Sequence, residues 1–245
     1  ITHCSFSGTV SGVDAVGGVV GQSTRGAVSG CSNVGTVSCP GRSSSVGGIL
    51  GFILNGTVRN SYYLEGCNGA GTEFTSIEGV GTSKTAEEFR NGDVCTALGY
   101  HAYYTADGFC GYCDAYQEAV QNEAGTYEIS NAGQLYWFAD KVNNDNETYG
   151  SANAVLTGDI TVNKGVLTAD GQLAEDASKF RVWTPIGTKY DNTSTVVPYN
   201  GIFDGQGYTI SGLYCNKNVK YGGLFGYLGS GTITNVSVTD MYIQT

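Results

Sequence analysis

Three short stretches of this chain decide its fold: Val16–Gly21 reads VGGVVG, Val46–Gly51 reads VGGILG, and Tyr221–Gly226 reads YGGLFG. Each consists of a valine or tyrosine, two glycines, two apolar residues and a third glycine. The opening ITHCSFSGTVS also aligns with a later VSGCSNVGTVS, which places Cys4 over Cys31 just as the first two stretches place Val16 over Val46. Both alignments give a repeat of about 27 to 30 residues, which is typical of a solenoid, a propeller or an array.

The pattern inside each repeat favours the solenoid. Every repeat holds three short apolar or β-branched runs, such as Val19-Val20, Ala27-Val28 and Thr36-Val37, which are separated by Gly, Ser and Asn. Runs of this length predict strands, and three strands per repeat suit one turn of a parallel β-solenoid better than a four-stranded propeller blade. We therefore predict an all-β fold, a right-handed parallel β-helix or solenoid in two portions with short helical insertions.

Two segments of the chain also resemble a known family. Gly223-Leu224-Phe225-Gly226 has the form of the GLUG repeat, a Gly-Leu-apolar-Gly sequence of large bacterial surface proteins. Residues 199–213, YNGIFDGQGYTISGL, are similar to the F-x-G-x-F-D-G-x-G-x-x-I-x-x-L block that precedes such repeats, with Tyr199 at the first aromatic position. The resemblance covers roughly residues 1–66 and 126–245.

This resemblance implies a function as well as a fold. It predicts an extracellular, non-enzymatic segment of a larger bacterial cell-surface protein, secreted and acting as an adhesin-like surface or stalk. The expected partners are glycans or proteins of a host or neighbouring cell. A polysaccharide-active β-helix enzyme and an accessory spacer domain of a larger secreted enzyme are the alternatives.

Composition excludes several other classes of protein. The chain has 245 residues with 14% charged and 40% hydrophobic, a combination that argues against disorder. Its formal net charge of -10 makes nucleic acid an improbable partner. No run approaches the ~20 apolar residues of a membrane-spanning helix.

The pattern predicts three regions: β-solenoid repeats at 1–66, a bridging insertion at 67–125, and a helix-capped second β-solenoid at 126–245. In the bridge, Thr85 and Glu88 have capping-box spacing, which predicts a helix over about 85–98. In the second solenoid, Ser130 or Asn131 caps a helix, and an apolar stripe follows at i, i+3, i+4 and i+7. That stripe consists of Leu135, Phe138, Ala139 and Val142.

The bridge contains the one group of residues with metal-ligand spacing. Cys110 and Cys113 form a CxxC pair, and Cys95 and His101 could complete a Cys₃His set of the kind that tetrahedral zinc prefers. The favoured alternative is a disulfide, either within the pair or with Cys95 or Cys67, because an extracellular location promotes disulfides. Cys4 and Cys31 are expected to stack on adjacent turns, as a disulfide or as buried thiols.

Ligand and catalytic candidates are weaker. The aromatic pairs Tyr62-Tyr63 and Tyr103-Tyr104 are candidates for stacking on a sugar, although tyrosines on solenoid faces are often packing residues. An enzymatic alternative would draw on carboxylates, with an arginine, converging on one groove. Its candidates are Asp159, Asp204, Asp240 and Arg181. Asp204 lies between glycines in a predicted turn, so no catalytic residue is assigned.

Overall fold

The computed structural model describes residues 1–40, 45–67, 81–189, 196–216 and 220–244. It divides into two compact units. Unit 1 comprises Ile1–Tyr104 with Cys110–Ala115, and unit 2 comprises Thr105–Phe109 with Tyr116–Thr245. The predicted bridge is therefore shared between the units, and its residues 68–80 lie outside the described part of the chain.

Unit 1 is built from short strands that pair in parallel with the next repeat. The strands are β1 (Ser5–Phe6), β2 (Thr9–Ser11), β3 (Val16–Gly17), β4 (Val20–Ser23), β5 (Ala27–Ser29), β6 (Ser32–Asn33), β7 (Thr36–Ser38), β8 (Val46–Gly47), β9 (Leu50–Ile53), β10 (Thr57–Arg59), β11 (Tyr62–Leu64) and β12 (Thr82–Lys84). One sheet has the order β1-β6-β11-β12, and the remaining pairs are β2-β7, β3-β8, β4-β9 and β5-β10.

The register of these pairs follows the sequence repeat. Ser5 lies opposite Ser32, which is the alignment that placed Cys4 over Cys31. Val16 lies opposite Val46, so the first two glycine motifs also stack in register. The predicted alignment of successive repeats is thus confirmed as the pairing of their strands.

The third glycine of the repeated motif lies where two backbones approach closely. A Cβ atom on Gly51 would lie 2.5 Å from the backbone nitrogen of Val16 and 2.7 Å from the carbonyl oxygen of Gly21. Only a residue without a side chain fits between these strands, since real Cβ atoms do not approach other atoms so closely. This glycine is therefore required by the contact between successive repeats.

The helix predicted over 85–98 is wrong in one respect, because the structure has two helices there. They are α1 (Ala86–Arg90) and α2 (Asp93–Leu98). Thr85 caps α1 in a full capping box with Glu88, as predicted. Gly92 then adopts a left-handed conformation with φ of 90°, which ends one helix and turns the chain into the next.

Unit 2 combines parallel strands with a helix in its core. Its strands are β13 (Val120–Gln121), β14 (Tyr127–Ile129), β15 (Ala154–Leu156), β16 (Ile160–Thr161), β17 (Thr188–Lys189), β18 (Val196–Val197), β19 (Ile202–Asp204), β20 (Thr209–Ser211), β21 (Tyr214–Cys215), β22 (Thr232–Thr234), β23 (Ser237–Thr239) and β24 (Tyr242–Ile243). Its helices are α3 (Ala132–Asn144), α4 (Asn146–Tyr149) and a 3₁₀ turn, Ala177–Lys179.

Most strand pairs of unit 2 are parallel as well. The main sheet has the order β13-β14-β15-β19-β22, in which the β13-β14 pair is antiparallel. Phe203 lies opposite Ile233, and the number of residues between them is like that between paired residues of unit 1. Ala154 lies opposite Phe203, and many more residues separate these two. The longer separation reflects the insertion between β16 and β19, whose residues 190–195 lie outside the described part.

Helix α3 begins after Asn131, whose side chain accepts a hydrogen bond from the backbone of Gln134. This confirms the predicted cap, and all four residues of the predicted stripe are buried. Phe138 contacts the aromatic rings of Tyr199 and Phe203, with ring centroids 6.0 and 6.4 Å apart. The helix therefore supplies part of the hydrophobic core of unit 2.

The described residues thus form a largely β fold with few helices. None of the helices in the described ranges is long and apolar enough to cross a membrane.

Candidate metal centre

Two turns of unit 1 bring the predicted metal ligands together. Cys95 lies on α2, which ends at Gly99 in a left-handed conformation with φ of 79°. The Gly99 amide donates to the carbonyl oxygens of Cys95 and Thr96, and these hydrogen bonds end the helix. His101 follows shortly after Gly99 and is thereby directed back towards Cys95.

The CxxC pair is held by a second turn. The Cys110 amide donates to the carbonyl oxygen of Ala115 at 2.8 Å, and the Asp114 amide donates to the carbonyl oxygen of Cys110 at 3.0 Å. Asp114 has a φ of 56°, which few residues other than Gly, Asn and Asp adopt readily. Gly111 leaves room for the ring of Tyr103, which packs directly against its α-carbon.

These turns place four donor atoms close to one another. The Sγ atom of Cys95 lies 3.8 Å from that of Cys110 and 3.7 Å from that of Cys113. The Nδ1 atom of His101 lies 3.5 Å from the Sγ atom of Cys113. All four ligand atoms lie within 4.8 Å of one another, so this Cys/His cluster (Cys95, His101, Cys110 and Cys113) could hold a metal ion such as zinc.

Aromatic side chains surround the Cys/His cluster. Phe89 and Tyr103 each make an edge contact with Tyr112, with ring centroids 5.0 and 5.3 Å apart. The Tyr112 hydroxyl forms a 2.8 Å hydrogen bond with that of Ser32. These rings exclude water from one side of the cluster, and Cys95 is only 4% exposed.

The electrostatics of the cluster oppose the thiolate forms of its cysteines unless a cation is bound. Burial, followed by the neighbouring thiols of Cys110 and Cys113, raises the pKa of Cys95. Burial also raises the pKa of Cys113. Three thiolates cannot be accommodated together in a poorly solvated site without a compensating positive charge. A metal ion supplies that charge and deprotonates the thiols that bind it.

A cavity of about 410 Å³ gives access to the Cys/His cluster from one side. It is lined by Gly92, Cys95, Thr96, Gly99, Tyr100 and His101. An ion can therefore reach Cys95 and His101, which is one requirement of a working metal site.

The four tyrosines singled out in the sequence do not form a single platform. Tyr63 is half-buried and packs against the core around Ile49 and Leu50. Tyr62, Tyr103 and Tyr104 instead pack against a separate group of buried hydrophobic residues, which includes Phe89 and Cys95. All four are half-buried packing residues, and Tyr62 and Tyr63 separate because adjacent residues of a strand point to opposite faces.

Cys4 and Cys31 lie on adjacent repeats, as predicted. The backbone amide of Ser32 donates to the carbonyl oxygen of Cys4, and Cys4 packs against the core that contains Cys31. In the third repeat Ser61 occupies the equivalent place, where its hydroxyl accepts from the Cys31 amide at 3.1 Å. Burial raises the pKa of Cys31, so its thiol stays protonated at neutral pH.

The three aspartates of the enzymatic alternative each bind backbone amides. Asp159 accepts from Thr209, and Asp204 accepts from Gln206 within its own turn. Asp240 accepts from the two consecutive amides of residues 166 and 167. These bonds give each carboxylate a role in holding a turn or loop. The guanidinium of Arg181 stacks on the ring of Phe109, 3.7 Å from its centroid.

Comparisons with protein-family models, with curated protein sequences and with solved structures find no match to this chain. The evidence for its function therefore comes from its own residues.

Proposed function

We propose that this chain is a zinc-stabilised, non-enzymatic β-solenoid segment of a bacterial surface protein, which presents binding faces to glycan or protein ligands outside the cell. The observation that carries the zinc site is the set of distances between the four donor atoms of the Cys/His cluster.

Three of those distances match the edges of a zinc tetrahedron. Sulfur atoms that each lie about 2.3 Å from a central ion at tetrahedral angles are about 3.8 Å apart, and a nitrogen about 2.05 Å from the ion lies about 3.6 Å from each sulfur. Three of the six observed edges are 3.8 and 3.7 Å between sulfurs and 3.5 Å between sulfur and nitrogen, and the other three are within 4.8 Å. These distances support the binding of a single ion by all four donors.

The number of donors supports a structural site. Four protein ligands complete the tetrahedron and leave no position for a water molecule or substrate, whereas catalytic zinc sites keep one position open. The ion would connect α2 to the turn that carries the CxxC pair. Both elements are short, so a metal bond would add to the stability of their packing.

Metal analysis of protein purified without chelators tests the zinc site. We expect one zinc per chain and, after exchange for Co²⁺, the absorption bands of tetrahedral cobalt with thiolate ligands. Cys113→Ser should lower the metal content well below one equivalent. Cys39→Ser is the matched control, since both cysteines are half-buried residues of unit 1. Less than one equivalent of zinc, together with disulfides among the cluster cysteines, would overturn the proposal in favour of the disulfide alternative.

The pairing register supports the solenoid part of the proposal. Parallel strands that pair with their counterparts in the next repeat, in both units, are expected when each repeat stacks on the one before. Right-handed turns are the strong preference for parallel crossovers. A Thr9→Cys/Thr36→Cys pair should oxidise readily, because these residues lie opposite each other on β2 and β7. Thr9→Cys/Thr57→Cys is the control, since Thr57 pairs with Ala27 instead.

The binding part of the proposal draws on surface chemistry. Stacked repeats display long faces with few charges, which suit many weak contacts with an extended ligand. The net charge of -10 disfavours phosphate-rich partners. A screen of glycans and surface proteins tests this part, and we expect selective binding to at least one class. Uniformly flat binding would contradict it and support the role of a spacer.

A further inference from the structure

A second cavity, in unit 2, lies beside α3 and is independent of the Cys/His cluster. Its volume is about 170 Å³, and its lining includes Tyr116, Tyr136, Asp140, Asn144 and Thr184. This volume is smaller than the ~300–1,000 Å³ of sites for drug-sized ligands. It corresponds to the volume of about five or six water molecules. The size suits a single six-membered ring. The sequence offered no signal for this cavity, because its walls come from three distant segments.

One wall of the cavity is an exposed aromatic ring that is held in place. Tyr116 is 37% exposed, and its ring contacts those of Phe109 and Tyr136, with centroids 6.0 and 5.4 Å away. The Tyr136 hydroxyl donates to the carbonyl oxygen of Arg181 at 3.3 Å. A fixed aromatic ring offers a flat surface to the apolar C–H face of a sugar at little cost in conformational entropy.

Another part of the lining is polar. Asp140 and Asn144 lie one turn apart on α3, where the Asn144 side-chain amide donates to the Asp140 carboxylate at 2.7 Å. This single bond leaves the pair with a donor and several acceptor positions, and the Thr184 hydroxyl can both donate and accept. Adjacent hydroxyls of a sugar need this mixture of donors and acceptors.

The walls are tied together without the ligand. Asn143 is buried, and its side chain donates to the carbonyl oxygen of Pro185 and accepts from the amide of Gly187, both at 2.9 Å. These bonds fix the segment that carries Thr184 against α3. The cavity is therefore formed in advance, which reduces the entropy lost on binding.

The charge of the lining selects the kind of sugar. Asp140 is the one charged residue among the lining side chains that the structure describes, and the chain as a whole is acidic. A carboxylate on the ligand would be repelled here.

We infer that the α3 cavity is a subsite for one uncharged pyranose ring of a glycan, with Tyr116 as the stacking surface and Asp140 with Asn144 as the hydroxyl ligands. The inference rests on the glycan-binding part of the proposed function and names its ligand class. A single ring of about twelve non-hydrogen atoms is expected to bind with a dissociation constant on the order of 1 mM.

Saturation-transfer NMR and titration with methyl glycosides of neutral hexoses test the subsite. We expect transfer to the neutral glycosides, none to methyl glucuronate, and about tenfold weaker binding after Tyr116→Ala. Asp140→Ala is a second variant at an exposed helical position, where alanine preserves the helix. Tyr208→Ala is the matched control, because Tyr208 is 36% exposed and does not line the cavity.

The outcomes separate the subsite from the wider proposal. No transfer to any neutral glycoside, preferential binding of the glucuronate, or binding that Tyr116→Ala and Asp140→Ala leave unchanged would each overturn the subsite. If the intact chain still binds longer glycans or proteins in the screen, the proposed function stands without it. The chain could instead bind methyl glycosides in a way that depends on Tyr116 and yet bind no longer glycan or protein in the screen. That result would support the subsite and contradict the wider function.

Discussion

Replacing Gly51 with alanine tests whether the repeated glycines encode the stacking of repeats. An alanine Cβ at this position would lie 2.5 Å from the Val16 nitrogen, 2.6 Å from the Ala15 carbonyl carbon and 2.7 Å from the Gly21 oxygen. All three atoms belong to the backbone of the preceding repeat, so no side-chain rotation can relieve the clash. The strands themselves must move apart.

The expected cost follows from this geometry. Overpacking a well-packed core costs about 1–3 kcal/mol, and three simultaneous backbone contacts place Gly51→Ala near about 3 kcal/mol. For a unit of this size, such a loss lowers the melting temperature by roughly 10 °C or more. Gly8→Ala is the control in the same unit, because its Cβ would meet only the Phe6 ring, at 3.4 Å. We expect a change within about 0.5 kcal/mol there.

Calorimetry combined with hydrogen exchange measures this effect in unit 1 itself. Gly51→Ala should lower the melting temperature and accelerate amide exchange in β3, β4 and β9, which meet at this glycine. Equal melting temperatures and equal exchange for Gly51→Ala and Gly8→Ala would refute the idea that close backbone approach explains the motif.

Two further predictions concern the charge of Glu88 and the burial of Phe138 in the core of unit 2. The Lys84 ammonium, followed by the Thr85 backbone amide, lowers the pKa of Glu88 to about 2, so this stabilisation of α1 is present above pH ~4.5 and is lost as the pH falls towards 2. Glu88→Gln should remove that part of the pH dependence in melting curves; an unchanged profile would contradict the assignment. Phe138→Ala should destabilise unit 2 by about 3–5 kcal/mol, as measured by denaturant unfolding, because the side chain is fully buried. Ile202→Ala, at a site 52% exposed, should cost far less, and similar losses would argue against a core centred on α3.

Much of the secondary structure could be predicted from the sequence, because its signals are local or periodic. The capping box at Thr85 and the apolar stripe that follows Asn131 each depend on residues within one or two helical turns. The break at Gly92 was missed, because a glycine inside a helical pattern can be tolerated or can end the helix. Its left-handed conformation decides between these outcomes, and it depends on the packing of both short helices.

The candidate sites divide in the same way. Spacing identified the Cys/His cluster as a possible ligand set, but the disulfide alternative remained open because spacing does not give distances between sulfur atoms. The α3 cavity had no sequence signal, since Tyr116, Asp140 and Thr184 come from separate segments. The tyrosine pairs were visible in the sequence, yet tertiary packing places their rings against hydrophobic cores.

The sequence by itself determined which residues pair across repeats, because stacked parallel strands couple each residue to its counterpart in the next repeat and so impose a visible period. Only the tertiary structure decided what the non-repeating residues do. The four donors converge through turns at Gly99 and Asp114, whose left-handed conformations leave no periodic trace. A repeat reports the contacts that recur along the chain, whereas a metal site or a ring-sized cavity is a contact made once.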